Sequence, residues 1–197
     1  TEVPPQMISD HAEKLLDVFD LMHGKTTVFF PRNTGREGFQ MYLTAAVILL
    51  FHTGYSFISL KIGTCLLGFL TLPFLYLLGK ELGGSRVGMW AMAFGGIAYW
   101  HNVISRIALR FTLTPFFTAP ALYFLLRGMR RRCVNDFLLS GFFLGLGLHG
   151  YSTMRIVPLI FVFALVLYLL HRQSEGWRKQ AVMAFVLLSL ISFAVFI

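Results

Sequence analysis

Long apolar segments separated by short basic clusters restrict the fold of this sequence more than any other feature. Residues 156–171, for example, contain no Asp, Glu, Lys or Arg. Of the 197 residues, 56% are hydrophobic and 13% are charged, against about 45–50% and about 25% in soluble domains. These segments do not alternate apolar and polar residues, as the strands of a membrane β-barrel would. The sequence therefore predicts an all-α fold, that of a polytopic helical membrane protein.

The basic residues are distributed as in a membrane protein. The formal net charge of +8 could by itself indicate a nucleic-acid-binding protein. However, the arginines of 127–132 and the basic residues of 172–179 lie between apolar segments, and the positive-inside rule places such clusters in the cytoplasm. We therefore expect a multi-pass protein of the cell (inner) membrane, with membrane lipid and no nucleic acid among its partners.

Residues 1–56 differ from the rest of the chain because they hold most of the acidic residues. Ser9–Met22 has helical amphipathicity, with the acids largely opposite an apolar face of Leu15, Val18, Phe19 and Met22. Ser9 is the predicted N-cap, and Gly24 is expected to end the helix. A second apolar piece, Phe39–Phe51, would be about 20 Å long as a helix, too short for a hydrocarbon core of about 30 Å. We predict that residues 1–56 form an outer loop with two juxtamembrane helices.

Residues 57–197 are predicted to form a six-span transmembrane bundle. The expected spans are Phe57–Gly79, Val87–Ile104, Phe111–Leu126, Phe137–Tyr151, Ile156–His171 and Ala181–Ile197. Alternation then places residues 80–86, 127–132 and 172–179 in the cytoplasm, and residues 1–56, 105–110 and 152–155 outside. Because the chain ends within an apolar run, we expect a fragment of a longer protein.

Several charged or polar side chains are expected at the outer surface. Lys61 lies near the start of an apolar span, where it either snorkels to the headgroups or binds a lipid phosphate. Arg106 and Arg110 share one helical face by their spacing, and lipid-headgroup anchoring is their alternative role. Asp10 alone would be an ordinary solvated carboxylate. The candidates for binding substrate or lipid phosphate are Glu13, Arg36, Glu37, Lys61, Arg106, Arg110, His149, Tyr151 and Arg155.

The order of these features resembles a known family. The acidic outer loop is followed by a span with Gly-Phe-Leu-Thr-Leu-Pro at residues 68–73, by Leu-Gly-Lys-Glu at 78–81, and by Tyr-Trp-His-Asn-Val-Ile-Ser-Arg at 99–106. Over most of residues 7–172, this order resembles the polyprenyl-phosphate-dependent GT-C glycosyltransferases. Within them, it is most similar to the branch of protein O-mannosyltransferases and lipid A aminoarabinose transferases.

The resemblance implies a role for several residues. Asp10 matches the general base of the first outer loop, although His11 stands where the family often has Glu. Lys61 matches the basic residue proposed to hold the lipid phosphate. Ser105 and Arg106 match the Ser-Arg pair that follows the next span. Residues 35–37 match the start of the second juxtamembrane helix, which lines the cavity.

The implied reaction moves a sugar from a polyprenyl-phosphate donor to an extracytoplasmic acceptor. Cations such as Lys61 and Arg106 would stabilise the departing phosphate, and one carboxylate, Asp10, suffices as the base for inversion. No metal-ligand spacing is visible, although a carboxylate pair could hold a divalent cation.

A different class of function stays open. The chain could be a truncated or degenerate relative that acts as a structural subunit of a larger membrane complex, with other membrane subunits as partners. A transporter is disfavoured because the predicted spans contain no acidic residue and no inverted repeat. As a fragment of the enzyme, this chain alone is expected to be inactive.

Overall fold

The computed structural model describes residues 7–32, 36–171 and 177–196 of the chain. The α-helices in these ranges are α1 Ser9–Met22, α2 Phe39–Phe51, α3 Phe57–Gly83, α4 Ser85–Ile97, α5 Tyr99–Arg106, α6 Leu113–Arg131, α7 Val134–Leu148, α8 Val157–His171 and α9 Trp177–Phe196. One short antiparallel pair joins β1 Phe29–Phe30 to β2 Arg36–Glu37. Turns of 3₁₀ helix at Arg110–Thr112 and Ser152–Ile156 precede α6 and α8. The predicted all-α class is confirmed.

The two short helices of the N-terminal region form over the predicted residues, Ser9–Met22 and Phe39–Phe51. The prediction that Ser9 caps α1 is wrong, because the N-cap position belongs to Ile8. His11, at the third position of the helix, takes the role that Glu or Gln has in a capping box, since its Nδ1 atom accepts a hydrogen bond of 3.3 Å from the backbone N–H of Ile8. The start of α1 therefore depends on a histidine side chain.

The predicted apolar face of α1 is partly wrong. Leu15 and Val18 are buried, but Phe19 is 44% exposed. Asp17 lies on the buried face instead of opposite to it, at 1% exposure. Its carboxylate accepts a hydrogen bond of 2.7 Å from Arg32 Nη1, and a buried charge is tolerated where it is paired in this way.

The helices of residues 57–196 depart from the predicted spans at several ends. α3 continues four residues past Gly79, and α7 covers Val134–Leu148 instead of 137–151. The predicted span over 87–104 is two helices that meet at Ala98. At this break the side-chain amide of Asn102 donates to the carbonyls of Gly96 and Ala98. Asn102 thus supplies hydrogen bonds to backbone carbonyls at the break in the helix.

Within the described residues, one helix, α3, is long and apolar enough to cross a membrane. Shorter apolar stretches are Phe39–Phe51, Val134–Leu148, Ser152–Leu167 and Ala181–Val195. The number of spans therefore stays a prediction.

Most of the bundle packs around one apolar core. Its buried side chains come chiefly from α6, α7, α8 and α9, including Phe117, Phe137 and Phe161. Gly141 and Gly145 of α7 allow a close approach of two helices, because a Cβ added at either residue would lie 3.2 Å or less from the backbone of α9. This contact makes α7 and α9 a tightly packed pair.

A smaller unit made by α1, α2 and β1 packs on the end of this bundle. Its own core contains Val18, Phe30 and Met41. The loop that follows α5 anchors the unit, since Nε2 of His11 donates to Ile107 O at 2.7 Å. The side chain of Gln40 donates to Ala108 O at 2.9 Å. Two helices are thus fixed to one loop next to Arg110, and this arrangement positions the charged site.

The free energy of unfolding should depend on pH because of the hydrogen bonds that the His11 ring makes with Ile8 and Ile107. Burial is the main cause that lowers the pKa of His11 below 6.5, and Nδ1 must stay unprotonated to accept from Ile8. Below about pH 6.5 the unfolded chain binds a proton that the folded chain does not, so the free energy of unfolding should decrease as the pH falls. Thermal unfolding in detergent at about pH 7.5 and about pH 5.5 measures this dependence.

The variants His11→Asn and His23→Asn provide the comparison, since His23 lies exposed just after the same helix. His11→Asn should flatten the pH dependence, whereas His23→Asn should leave it unchanged. An equal pH dependence in wild type and His11→Asn would contradict the assignment.

Candidate functional site

A buried arginine joins the carboxylates of α1. Arg36 is 1% exposed, and its Nη2 atom lies 2.6 Å from Asp10 Oδ1 and 2.8 Å from Glu13 Oε2. Nζ of Lys14, also 1% exposed, lies 2.7 Å from Asp10 Oδ2. Asp10, Glu13 and Lys14 share one helical face because they are three and four residues apart. The two oxygens of Asp10 therefore each contact a different cation.

Glu37, the residue after Arg36 in the chain, forms a second set of ion pairs. Glu37 follows Arg36 in β2, and successive side chains of an extended chain point in opposite directions. Its carboxylate lies 2.5 Å from Arg110 Nη1 and 3.3 Å from Arg155 Nη2. The guanidinium of Arg110 also lies over the ring of Tyr151, 5.5 Å from its centre. Residues 36 and 37 thus connect α1 to the segments before α6 and α8.

A cavity of about 330 Å³ lies beside these charges. Its lining residues are Ile8, Asp10, Lys14, Leu109, Arg110, Phe111 and Tyr151. A carboxylate, two cations and two aromatic rings therefore face one space, and its volume is in the range of small-molecule sites. Such a lining can receive a hydroxyl group next to Asp10 and an anionic group next to the cations.

The two cations of this cavity are poorly solvated. Burial lowers the pKa of Lys14 to about 8, although the hydrogen bond to Asp10 opposes the shift. Burial also lowers the pKa of Arg110, against the attraction of Glu37. Charges removed from water act more strongly on their neighbours than exposed ones. The cations of the cavity are consequently well placed to act on an anion.

The structure brings together seven of the ten residues predicted from the sequence. The connected residues are Asp10, Glu13, Arg36, Glu37, Arg110, Tyr151 and Arg155. Three of these line the cavity directly, namely Asp10, Arg110 and Tyr151. Gly35, the first residue of the predicted 35–37 motif, lies outside the described residues.

The other three predicted residues lie elsewhere. Lys61 is half-buried on α3, with Nζ 4.4 Å from the centre of the Phe57 ring. Arg106 is exposed at the end of α5. The Nε2 atom of His149 lies 3.0 Å from Val195 O in α9. The described lining of the cavity includes none of the three. Lys61 and Arg106, the cations expected to stabilise the departing phosphate, therefore do not line the cavity of Asp10.

Lys14 is the residue that the sequence interpretation missed. Its spacing of four residues from Asp10 is the signal that could have found it. The spacing predicts an ion pair but not burial, which depends on the packing of α1 against α3 and the 107–109 loop.

No described set of three or more His, Cys, Asp or Glu side chains is arranged to hold a metal ion. Asp10 and Glu13 contact Arg36 and Lys14 with their carboxylates. A divalent cation at this carboxylate pair stays a prediction from the sequence.

Comparison with known proteins identifies a family. The model of a family described as Dolichyl-phosphate-mannose-protein mannosyltransferase matches residues 39–197. No curated protein and no solved structure matches the chain. The matched range includes Arg110, Tyr151 and Arg155, whereas Asp10 and Arg36 precede it.

The ion pairs of Arg36 should stabilise the fold. Truncating one partner of a buried ion pair costs about 3–5 kcal/mol, and water reaches Asp10 and Glu13, which are 29% and 36% exposed. We therefore expect Arg36→Met to lower the free energy of unfolding by about 2 kcal/mol. Unfolding in detergent measures this change.

Arg155→Met is the matched control, because the side chain of Arg155 is 69% exposed in its pair with Glu37. An exposed pair contributes about 0–1 kcal/mol. Equal losses in the two variants would show that burial of Arg36 does not set the strength of its pairs.

Proposed function

Because the chain belongs to the dolichyl-phosphate-mannose-protein mannosyltransferase family, we propose that it transfers a sugar from a polyprenyl-phosphate donor to an acceptor outside the cytoplasm. The observation that carries this proposal is the cavity in which the carboxylate of Asp10 lies beside the desolvated cations Lys14 and Arg110. Asp10 precedes the range of the family match, so its role rests on this geometry and on its position in the outer loop.

The proposed reaction needs one base and a cation for the leaving group. Asp10 takes the proton of the acceptor hydroxyl, and the acceptor oxygen forms a bond to the anomeric carbon of the sugar. The bond between that carbon and the phosphate oxygen breaks, and its electron pair leaves with the phosphate. Arg110 stabilises the negative charge that develops there. Because a single displacement occurs on the face opposite the leaving group, the configuration is inverted.

A second pair of cations is proposed to hold the lipid phosphate as the donor enters. Lys61 lies one turn before Cys65 on α3, and Cys65 Sγ donates to the carbonyl of Ser105 at 3.3 Å. Arg106 follows Ser105 directly, so Lys61 and Arg106 lie on adjoining turns of two packed helices. This contact favours a shared phosphate site over two separate headgroup anchors.

The ion pairs at the two ends of the bundle support the proposed topology. Glu81, at the end of α3, lies 3.2 Å from Arg130 Nη1, so the turn at 80–86 and the basic cluster 127–132 share one end. Glu37 pairs with Arg110 and Arg155 at the other end. These are the groups that the positive-inside rule assigns to opposite sides. The proposed active site therefore faces away from the cytoplasm, with the basic cluster inside.

Replacing Asp10 tests the proposed base. Asp10→Asn keeps the shape of the side chain and removes the proton acceptor, so transfer by the full-length protein should fall about 10²–10⁴-fold. Because Asp10 also pairs with the buried Arg36 and Lys14, the rate is compared per amount of folded protein. Sugar transfer from purified polyprenyl-phosphate sugars is the measurement. Asp20→Asn is the matched control, because Asp20 lies on the same helix, outside the described lining of the cavity.

Two results would contradict this proposal. Full activity of Asp10→Asn would show that another group removes the proton. A wild-type protein that transfers no sugar, yet co-purifies stoichiometrically with a larger membrane complex, would instead support a structural subunit.

Replacing Lys61 tests the proposed phosphate site. Lys61→Ala should raise KM for the donor about tenfold or slow transfer, because the phosphate loses a charge-assisted hydrogen bond. Lys80→Ala is the control, since Lys80 lies at the opposite end of α3. If donor concentration dependence is the same for both variants, Lys61 is a headgroup anchor.

A further inference from the structure

Lys14 occupies an unusual position for a lysine. It lies on the packed face of α1, one turn after Asp10, with 1% of its side chain exposed. Its Nζ atom contacts Asp10 Oδ2 at 2.7 Å, and the side chain lines the same cavity as Arg110. A buried ammonium group therefore touches the residue proposed as the base.

The stability of the fold does not explain this lysine. Arg36 already pairs with Asp10 through the other carboxylate oxygen. Burial and the positive charges of Arg36 and Arg110 all disfavour the ammonium form of Lys14. Apolar residues that replace a buried ion pair are often neutral or stabilising. A methionine or leucine at position 14 would avoid the cost of burying an ammonium group, while Asp10 would keep its ion pair with Arg36.

We propose that Lys14 is a positioning residue, which holds Oδ2 of Asp10 while Arg36 holds Oδ1, so that the carboxylate cannot rotate and stays directed at the cavity. This proposal rests on the proposed function, in which Asp10 takes the proton of the acceptor hydroxyl. Lys14 itself neither gains nor loses a proton in the reaction. Its contribution is the alignment of Asp10, and small errors of alignment slow such reactions strongly.

The hold on Asp10 depends on the positive charge of Lys14. The charged and titratable groups near its ammonium are Asp10 and His11 of α1, Arg36 of β2, Arg110, and Tyr151 across the cavity. With a pKa of about 8, the ammonium loses its proton in a pH range where arginine keeps its own. Transfer by the wild-type protein should therefore decrease as the pH rises through about 8.

The test measures sugar transfer by the full-length protein as a function of pH, for wild type, Lys14→Met and Lys14→Arg. Lys14→Met should lower kcat about 10–100-fold with KM for the donor unchanged, and should lose the decrease near pH 8. Lys14→Arg should restore part of kcat and remain active above that pH. Lys25→Met is the control, because Lys25 is a 71% exposed lysine that also pairs with an aspartate.

The possible results separate the positioning role of Lys14 from the proposed function. If wild type transfers sugar, while Lys14→Met keeps its kcat and the shape of its pH profile, the positioning role is wrong and the proposed function stands. If Lys14→Met does not fold, the wild-type and Lys14→Arg profiles decide, since identical alkaline limbs would overturn the proposal. If wild type transfers no sugar, the proposed function fails, and the role of Lys14 fails with it.

Discussion

The arrangement of the site depends on one buried guanidinium group. Arg36 has almost no contact with water, so its charge must be balanced by nearby carboxylates. Asp10 and Glu13 supply them from one face of α1. Since Glu37 is the next residue in the chain, the same backbone segment also fixes Arg110 and Arg155. One dipeptide therefore determines where the first helix lies relative to the segments that precede α6 and α8.

The rest of the fold holds this network in place. The 107–109 loop contacts α1 through His11 and α2 through Gln40, although Ala108 takes a left-handed conformation with φ of 62°. A non-glycine residue rarely adopts this conformation unless its surroundings impose it. The hydrogen bond from Gln40 to Ala108 O is part of those surroundings. The left-handed residue Ala108 lies in the turn between α5 and Arg110, which lines the cavity.

The sequence predicted the helices better than their ends. Ser9–Met22 and Phe39–Phe51 could be found because an amphipathic period and a short apolar length are local properties. The break at Ala98 could not, because the apolar run continues across it and the compensating hydrogen bonds come from Asn102. Phe19 is exposed and Asp17 is buried, against the amphipathic pattern of the helix. The burial of Asp17 could not be predicted from α1 alone, since its ion pair requires Arg32, which follows the helix.

The candidate site was predictable in composition but not in geometry. Charge placement and the family resemblance identified Asp10, Arg36 and Arg110, because these residue types are needed for a base and for a phosphate. The separation of Lys61 from the cavity depends on how α3 packs against α5, and a single sequence does not contain that information. Lys14 was not predicted for a related reason, since its spacing from Asp10 indicates a possible ion pair but not the burial of that pair.

The stereochemistry of transfer tests the central claim most directly. In the proposed mechanism one carboxylate, Asp10, is a base that acts opposite the leaving phosphate, with a single displacement at the anomeric carbon. Nuclear magnetic resonance of the product formed by the full-length protein from a polyprenyl-phosphate sugar of known configuration gives the answer. We expect a product with the configuration inverted relative to the donor. Retention of configuration would contradict this mechanism, because retention requires two successive displacements at that carbon.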